Sequence, residues 1–412
     1  MNLHANSLYA VLAQRRNLPL LLLFSIIGLA ILWTSGAISF GKPTIHRPSQ
    51  TVLETPWEQL GLGAQASAAE LLELADKQLM QLLADFPASA EAYNAKADRD
   101  FAISNMSAAQ ESWTTAAKLG TSEGKVEAIY GLAIIAFENG QYDSAIGMCE
   151  ELQCLSPDNS RIPLLLADSY IHQGKLQAAI LVLEQHLSQA TASVQALEML
   201  GNAQLKSRHP QLAVNIFQQV LEFAPESRDA HYGLAQAWAR LGDREKARVY
   251  SQSFDALAKG RGSSNMEAAR SFEDRDFAAS VAAQVFFDVG TIYGSQSMGA
   301  ALEPMAVEGV EDLAIKNMLR AVRLNPSMIS WLGELQHIYA VRGDRWGAID
   351  VGEKLAELEP AVVDHWLNIG QLYAELELSE LAIKAFQKAI EISPSDSRCQ
   401  QAKAVIEKLE TK

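Results

Sequence analysis

The chain has 412 residues, 49% of them apolar and 20% charged. That is ample for a buried core but too long for a single compact one, so several domains or a repeat array are expected. Lys and Arg total 34 against 49 Asp and Glu, a formal net charge of -15, which repels phosphates and argues against a nucleic-acid partner. Cys149, Cys154 and Cys399 form no CxxC pair and the eight histidines form no HExxH, so no disulfide, metal or other cofactor is expected to organise the fold.

No charged residue lies between Arg16 and Lys42. The stretch 18–40 is long enough, at about 1.5 Å per residue, to cross a hydrocarbon core of about 30 Å as a single transmembrane helix. Arg15 and Arg16 precede it, so the positive-inside rule makes residues 1–17 a cytoplasmic tail and exports the rest. The expected location is a bacterial inner membrane, crossed once, with the folded part in the periplasm. A cleaved signal peptide is the rival reading, since Ala37-Ile38-Ser39 is a passable cleavage site, and it would give a secreted protein. The length of the apolar span favours the uncleaved anchor. Residues 41–55, with Pro43 and Pro48, read as an extended spacer lifting the folded part off the bilayer.

Beyond the spacer nearly everything reads as amphipathic helices of about a dozen residues separated by Gly, Asp, Asn and Pro, an all-α pattern. The punctuation recurs every 34 residues. From Val363, Trp366, Ile369, Gly370, Tyr373, Ala382, Phe386, Ala389 and Pro394 fall at repeat positions 4, 7, 8, 11, 20, 24, 27 and 32, and a unit in the same register begins at Ile329. Residues 126–261 hold four more units, beginning at Val126, Ser160, Val194 and Arg228. Position 20 is Ala145, Ala179, Ala213 and Ala247 in turn, and position 15 is Gly140, Gly174 and Gly242 in three of the four. Small residues at position 20 let two helices cross closely, and glycine at position 15 opens the turn between them.

These spacings resemble the tetratricopeptide repeat (TPR), a helix-turn-helix unit. The resemblance covers about Ala90 to Asp396 and implies a right-handed superhelical solenoid of about eight repeats. Residues 56–123 read as degenerate N-terminal repeats or a cap, 126–261 as the first array, 262–282 as a linker or helix extension, and 283–396 as a second array of three repeats. The first repeat of that second array carries an insertion near 295–309, and 397–412 reads as a capping helix.

One such unit cannot bury its apolar face alone; stacked units can, and they leave a concave groove lined by the first helix of each pair, helix A. The resemblance implies protein or peptide binding there, through helix A positions 2, 5, 9, 12 and 13. It implies no catalytic residue, no cofactor and no small-molecule substrate. In the first array the groove candidates are Tyr130, Phe137, Asp168, Asn202, Lys206, Tyr232, Gln236 and Arg240. Asp168, Asn202 and Gln236, all at position 9, would form a polar ladder for an extended backbone, with the aromatic residues as apolar contacts. Glu198 stands where carboxylate-gripping TPR domains carry lysine, so that clamp is not expected. The leading reading is a non-enzymatic membrane-anchored scaffold that binds a protein or peptide. The alternative is an accessory subunit of an envelope export or respiratory complex, contacted through the convex face or the 295–309 loop.

Overall fold

A computed structural model describes residues 47–48, 51–63, 65–120, 122–189, 193–260, 274–299 and 310–411. Among them are eighteen α-helices and one short 3-10 helix, and no strand. The expected transmembrane helix 18–40 and the tail before it lie outside the described residues. The chain divides into two compact units, one of residues 86–274 and one made of residues up to 85 together with 275–412. The first is thus an insertion in the sequence of the second. The helix before the insertion is α1 (Ala68–Asp85).

The inserted unit is five helix pairs: α2 (Ala90–Ala102) with α3 (Met106–Leu119), α4 (Ser122–Glu138) with α5 (Tyr142–Leu155), α6 (Arg161–His172) with α7 (Leu176–Gln189), α8 (Val194–Lys206) with α9 (Pro210–Phe223), and α10 (Arg228–Leu241) with α11 (Arg244–Gly260). Each helix packs on the next in chain order. Helix starts are set by short polar side chains accepting from first-turn amides: Ser89 Oγ from Ala92 N, Ser193 Oγ from Ala196 N and Ser227 Oγ from Ala230 N. Repeat position 15 is left-handed throughout, not only at Gly140, Gly174 and Gly242 but also at Ser104 (φ 61°) and Arg208 (φ 63°). The reversal between paired helices dictates that conformation whether or not glycine supplies it.

Close approach is secured by the position-20 alanines: Ala109, Ala145, Ala179 and Ala213 are fully buried, while Ala247 in the last pair is half-buried. Position 24 supplies the wedge. Phe217 is fully buried, and a methyl on Gly201 of its own pair would stand 2.8 Å from its ring, while one on Gly233 of the next pair would overlap the ring outright. Trp113 sits against Gly131 in the same way. Cys149 holds position 24 of its pair, fully buried, and burial, with the Glu150 charge second, pushes its thiol up to about 12. It packs as an apolar residue, as its place in the repeat implies.

In the second unit α1 is followed by α12 (Arg275–Gly299), α13 (Val310–Leu324), α14 (Ile329–Arg342), α15 (Arg345–Leu358), α16 (Val363–Glu375), α17 (Ser379–Ile392) and α18 (Ser397–Glu410), each packed on its neighbour. α18 closes this end, with Cys399 and Ala402 buried against the preceding helices. Helix α12 is long and apolar enough to cross a membrane, yet the relevant window is 78% buried, and it packs on α1, α13 and α14.

Three expectations change here. The region 56–123 is not one block: α2 and α3 open the inserted unit, but α1 belongs to the other. Leu71, Ala75, Leu79 and Leu82 of α1 are buried, and α1 packs on α12. The join is fastened by Tyr293 Oη donating to Asp85 Oδ2 (2.6 Å), Arg275 Nε to the Ala66 carbonyl (2.9 Å) and Asn317 Nδ2 to Gln78 Oε1 (3.2 Å). The stretch 262–282, expected as a linker or helix extension, is helix from Arg275 on, where α12 buries Ala278, Val281 and Ala282. Likewise α12 runs on to Gly299, taking up part of the 295–309 insertion as extra helix, while 300–309 lie outside the described residues.

The third change is the spacer. Its described part is docked, because the side chain of Asp350 on α15 is only 4% exposed and a buried carboxylate needs partners. It accepts from Arg47 Nη2 (2.8 Å) and from the backbone amide of Val52 (3.0 Å). Arg47 also pairs with Glu353 at 2.6 Å, and Val52–Glu54 forms the 3-10 helix, which contacts α15. Further along, Leu60 and Leu62 are buried.

Candidate peptide-binding site

Helix periodicity divides α8 cleanly. Leu197, Leu200 and Leu205 are buried in the stack, and Glu198, Asn202 and Lys206, spaced four apart, run along another face. On α10 the equivalent stripe is Tyr232, Gln236 and Arg240, set off from buried Ala230, Leu234 and Ala237. Asn202, Lys206, Tyr232 and Arg240 are exposed, and Gln236 is half-buried.

The two stripes are stitched at their ends. At one end Ser227 Oγ donates to Glu198 Oε1 while accepting from Ala230 N, so a single hydroxyl caps α10 and ties it to α8. At the other, Arg240 Nη1 donates to the Leu205 carbonyl in the last turn of α8, where cations are favoured. Between these ties Asn202 and Gln236 make no side-chain hydrogen bond among the described residues. Each amide therefore offers two donors and an acceptor to whatever approaches. Burial, with the Asp229 charge behind it, raises the pKa of Glu198 against the opposing pull of the Ser227 bond.

Asp168 on α6 is half-buried and lies 3.6 Å from His172 one turn on, so the third rung of the ladder is engaged within its own helix. Tyr130 and Phe137 depart from expectation. They are 5% and 7% exposed, and Phe137 lies in a buried cluster with Ala136 and Ala145. The Arg161 guanidinium lies 4.6 Å over the Tyr130 ring, and Phe137 is flanked edge-on by Tyr142 at 5.6 Å and His172 at 5.2 Å. Tyr232 keeps its exposure, 52%, with its ring 5.3 Å from Phe254.

The structure thus brings together Asn202, Lys206, Tyr232, Gln236 and Arg240 on α8 and α10, and does not bring Tyr130 or Phe137 to that surface. Ser227, which with Glu198 holds the two helices in register, was not among the groove candidates; the legible signal was Ser227 as a helix-start residue just before Arg228. Among the described residues no group of three or more His, Cys, Asp or Glu could hold a metal ion.

Such two-helix pairs, with small residues at position 20 and left-handed turns at position 15, define tetratricopeptide repeats. Residues 118–201, 198–253 and 363–396 match models of the tetratricopeptide repeat, and the chain carries TPR repeats over those spans. TPR arrays bind protein partners. Among curated proteins it is 29% identical over 112 residues to a UDP-N-acetylglucosamine--peptide N-acetylglucosaminyltransferase of Giardia intestinalis; that match takes in 27% of this chain and 7% of the transferase. The chain thus spans a small fraction of the relative's length. Among solved structures it resembles MamA from Desulfovibrio magneticus RS-1 (19% identity, TM-score 0.39, 42% of this chain and 97% of that one). It also resembles a tetratricopeptide repeat protein from Parabacteroides merdae (18% identity, TM-score 0.30, 71% of this chain and 100% of that one). The scores are low, and nothing about partners follows from them.

Proposed function

We propose that this protein is a non-enzymatic, membrane-anchored scaffold that holds an extended segment of a partner protein along α8 and α10. One observation carries the reading. Two position-9 amides, Asn202 and Gln236, stand on adjacent helices without a side-chain hydrogen bond among the described residues, while the residues at either end of their stripes are used to lock those helices together. Paired carboxamides can donate to and accept from a peptide backbone without regard to its side chains. Tyr232 adds an exposed ring for one apolar side chain, and Lys206 and Arg240 give that end a positive cast that suits an acidic segment.

In this reading residues 18–40 cross a bacterial inner membrane once and the repeat units face the periplasm. Both parts are testable in the full chain. A photoreactive amino acid at position 232, irradiated in cells, should give discrete crosslinked protein partners, and Asn202→Ala with Gln236→Ala should cut their yield several-fold. An unchanged yield would discard the surface. Carbonate extraction should leave the full chain in the membrane and release a chain lacking residues 1–45; extraction of both alike would discard the anchor.

A further inference from the structure

Helix α13 turns three cations toward the segment 55–62: Lys316, Arg320 and Arg323. None of them meets a carboxylate among the described residues. Arg323 is engaged, donating through Nη1 to the Thr55 carbonyl with its guanidinium 4.1 Å over the Trp57 ring. Arg320 is only 3% exposed. Its Nε donates to the Leu60 carbonyl at 2.7 Å, its Nη1 to Asn317 Oδ1 at 2.7 Å, and it stands 5.3 Å from the centre of the Phe286 ring. Every one of those partners is neutral. Lys316, one turn earlier, makes no side-chain hydrogen bond among the described residues. Two like charges at i and i+4 repel, and withdrawing one of them from water normally demands a counter-charge. The strain registers in both groups: burial lowers Arg320 to about 10, and it lowers Lys316, with the Arg320 charge as the second cause.

The space that the pair shares is marked by Gly61, an exposed residue with φ 77°. Among the described residues, and apart from its own chain neighbours, a side-chain carbon built there would have two neighbours within 4 Å, Arg320 Nη2 at 3.3 Å and Lys316 Nζ at 4.0 Å. An exposed position therefore faces two cationic groups. We propose that Lys316 and Arg320, beside the Gly61 turn, form an oxyanion site that takes a phosphate or carboxylate group. Arg320 supplies a guanidinium already held in place by Leu60 and Asn317, so little ordering is lost on binding, and Lys316 swings in as a flexible point charge. The site lies in the unit built from α1 and α12–α18 and does not depend on the α8–α10 surface.

The test is calorimetric titration of the full chain with sodium phosphate and, separately, sodium acetate, against sodium chloride at matched ionic strength. Saturable heat is expected, with Lys316→Gln weakening binding by about tenfold and Lys384→Gln, a solvated lysine on α17, leaving it unchanged. Saturation by phosphate alone identifies a phosphate-bearing ligand, and saturation by acetate as well identifies a carboxylate. Absence of saturable heat with both anions, or equal affinity in Lys316→Gln, overturns the proposal. Because Arg320 is buried and Arg320→Gln can fail to fold, Lys316→Gln is the deciding variant.

Discussion

In the inserted unit a large side chain at position 24 is accommodated by glycine around it: Phe217 fills the space left by Gly201 and Gly233. In the repeat of α14 and α15 the assignment is reversed. Position 24 is Gly352, and the space is filled from position 8 by Gln336, whose Nε2 donates to the Ala348 carbonyl at 3.2 Å. One backbone arrangement thus admits opposite volume assignments, provided the sum is kept. The two solutions are not equally stiff. An aromatic ring between two glycines has nowhere to go, whereas a carboxamide can rotate away. The neighbouring α16–α17 pair returns to the first solution, with Phe386 2.7 Å from where a methyl on Gly370 would stand.

Truncating the wedge should have the largest effect on this comparison. Phe217→Ala leaves a cavity bordered by two glycines that cannot fill it, and should destabilise α8–α10 by about 3–5 kcal/mol. Native-state hydrogen exchange on those helices would measure it; a loss near 1 kcal/mol would mean the stack collapses around the gap. Next come the glycines. Gly233→Ala drives a methyl into the ring and should cost about 1–3 kcal/mol. Gly352→Ala meets chiefly Gln336 Nε2, the end of a flexible side chain, with Ile369 Cγ1 next at 3.0 Å, and should cost about 1 kcal/mol, chiefly the lost bond to Ala348. Equal costs in urea unfolding would break the distinction between rigid and yielding wedges.

How much of this is legible in sequence follows the range of the interactions. Ala109, Ala145, Ala179 and Ala213 could be placed at a close crossing because the constraint recurs every 34 residues. Arg47 is another matter: its partner Asp350 is 303 residues away, and a proline-bearing polar stretch reads as a spacer whether or not it finds a dock. The apolar face of α1 was equally visible, but an amphipathic pattern says that a helix packs, not against what, and its partner α12 begins only after the whole inserted unit. Tyr130 and Phe137 misled for a local reason. The run Ala128-Ile129-Tyr130-Gly131-Leu132-Ala133-Ile134-Ile135-Ala136-Phe137 is apolar all round, so repeat position alone assigned it an open face. On α8 and α10 polar and apolar residues segregate, and the candidates there are exposed or, for Gln236, half-buried.

Position 15 permits a finer test that spans both units. Its left-handed turn is glycine at 140, 174, 242 and 343 but Ser104 (φ 61°) and Arg208 (φ 63°) in one unit and Glu377 (φ 59°) in the other. Among the described residues a methyl on Gly174 would meet nothing within 4 Å, so Gly174→Ala tests backbone strain and should cost about 1 kcal/mol. Arg208→Gly and Glu377→Gly relieve the same strain, less the extra freedom of an unfolded glycine, and should each gain about 0.5–1 kcal/mol. Opposite shifts of the unfolding midpoint for the two kinds of substitution are expected. Shifts of one sign would mean that side-chain contacts, not the turn, decide these positions.

The smallest expected effect concerns charge, and here the units differ again. Buried Asp350 is matched by Arg47 and the Val52 amide, whereas Glu198 is half-buried beside Asp229 with only the Ser227 hydroxyl to answer it. Because burial raises its pKa, the folded state holds the Glu198 proton more tightly than the unfolded chain, whose carboxyl titrates near about 4.3. The linkage sign is then fixed: this group's contribution is most favourable below that value and declines as pH rises through the higher folded-state pKa. Glu198→Gln removes the charge and keeps an acceptor for Ser227 Oγ, so it should raise the unfolding temperature of the α8–α10 region at neutral pH and converge on the parent at about pH 4 and below. A variant less stable than the parent at neutral pH would mean that the Ser227 bond to an ionised carboxylate outweighs its burial. The tie between α8 and α10 would then rest on the charge of Glu198, and the spacing of Asn202 and Gln236 would vary with pH.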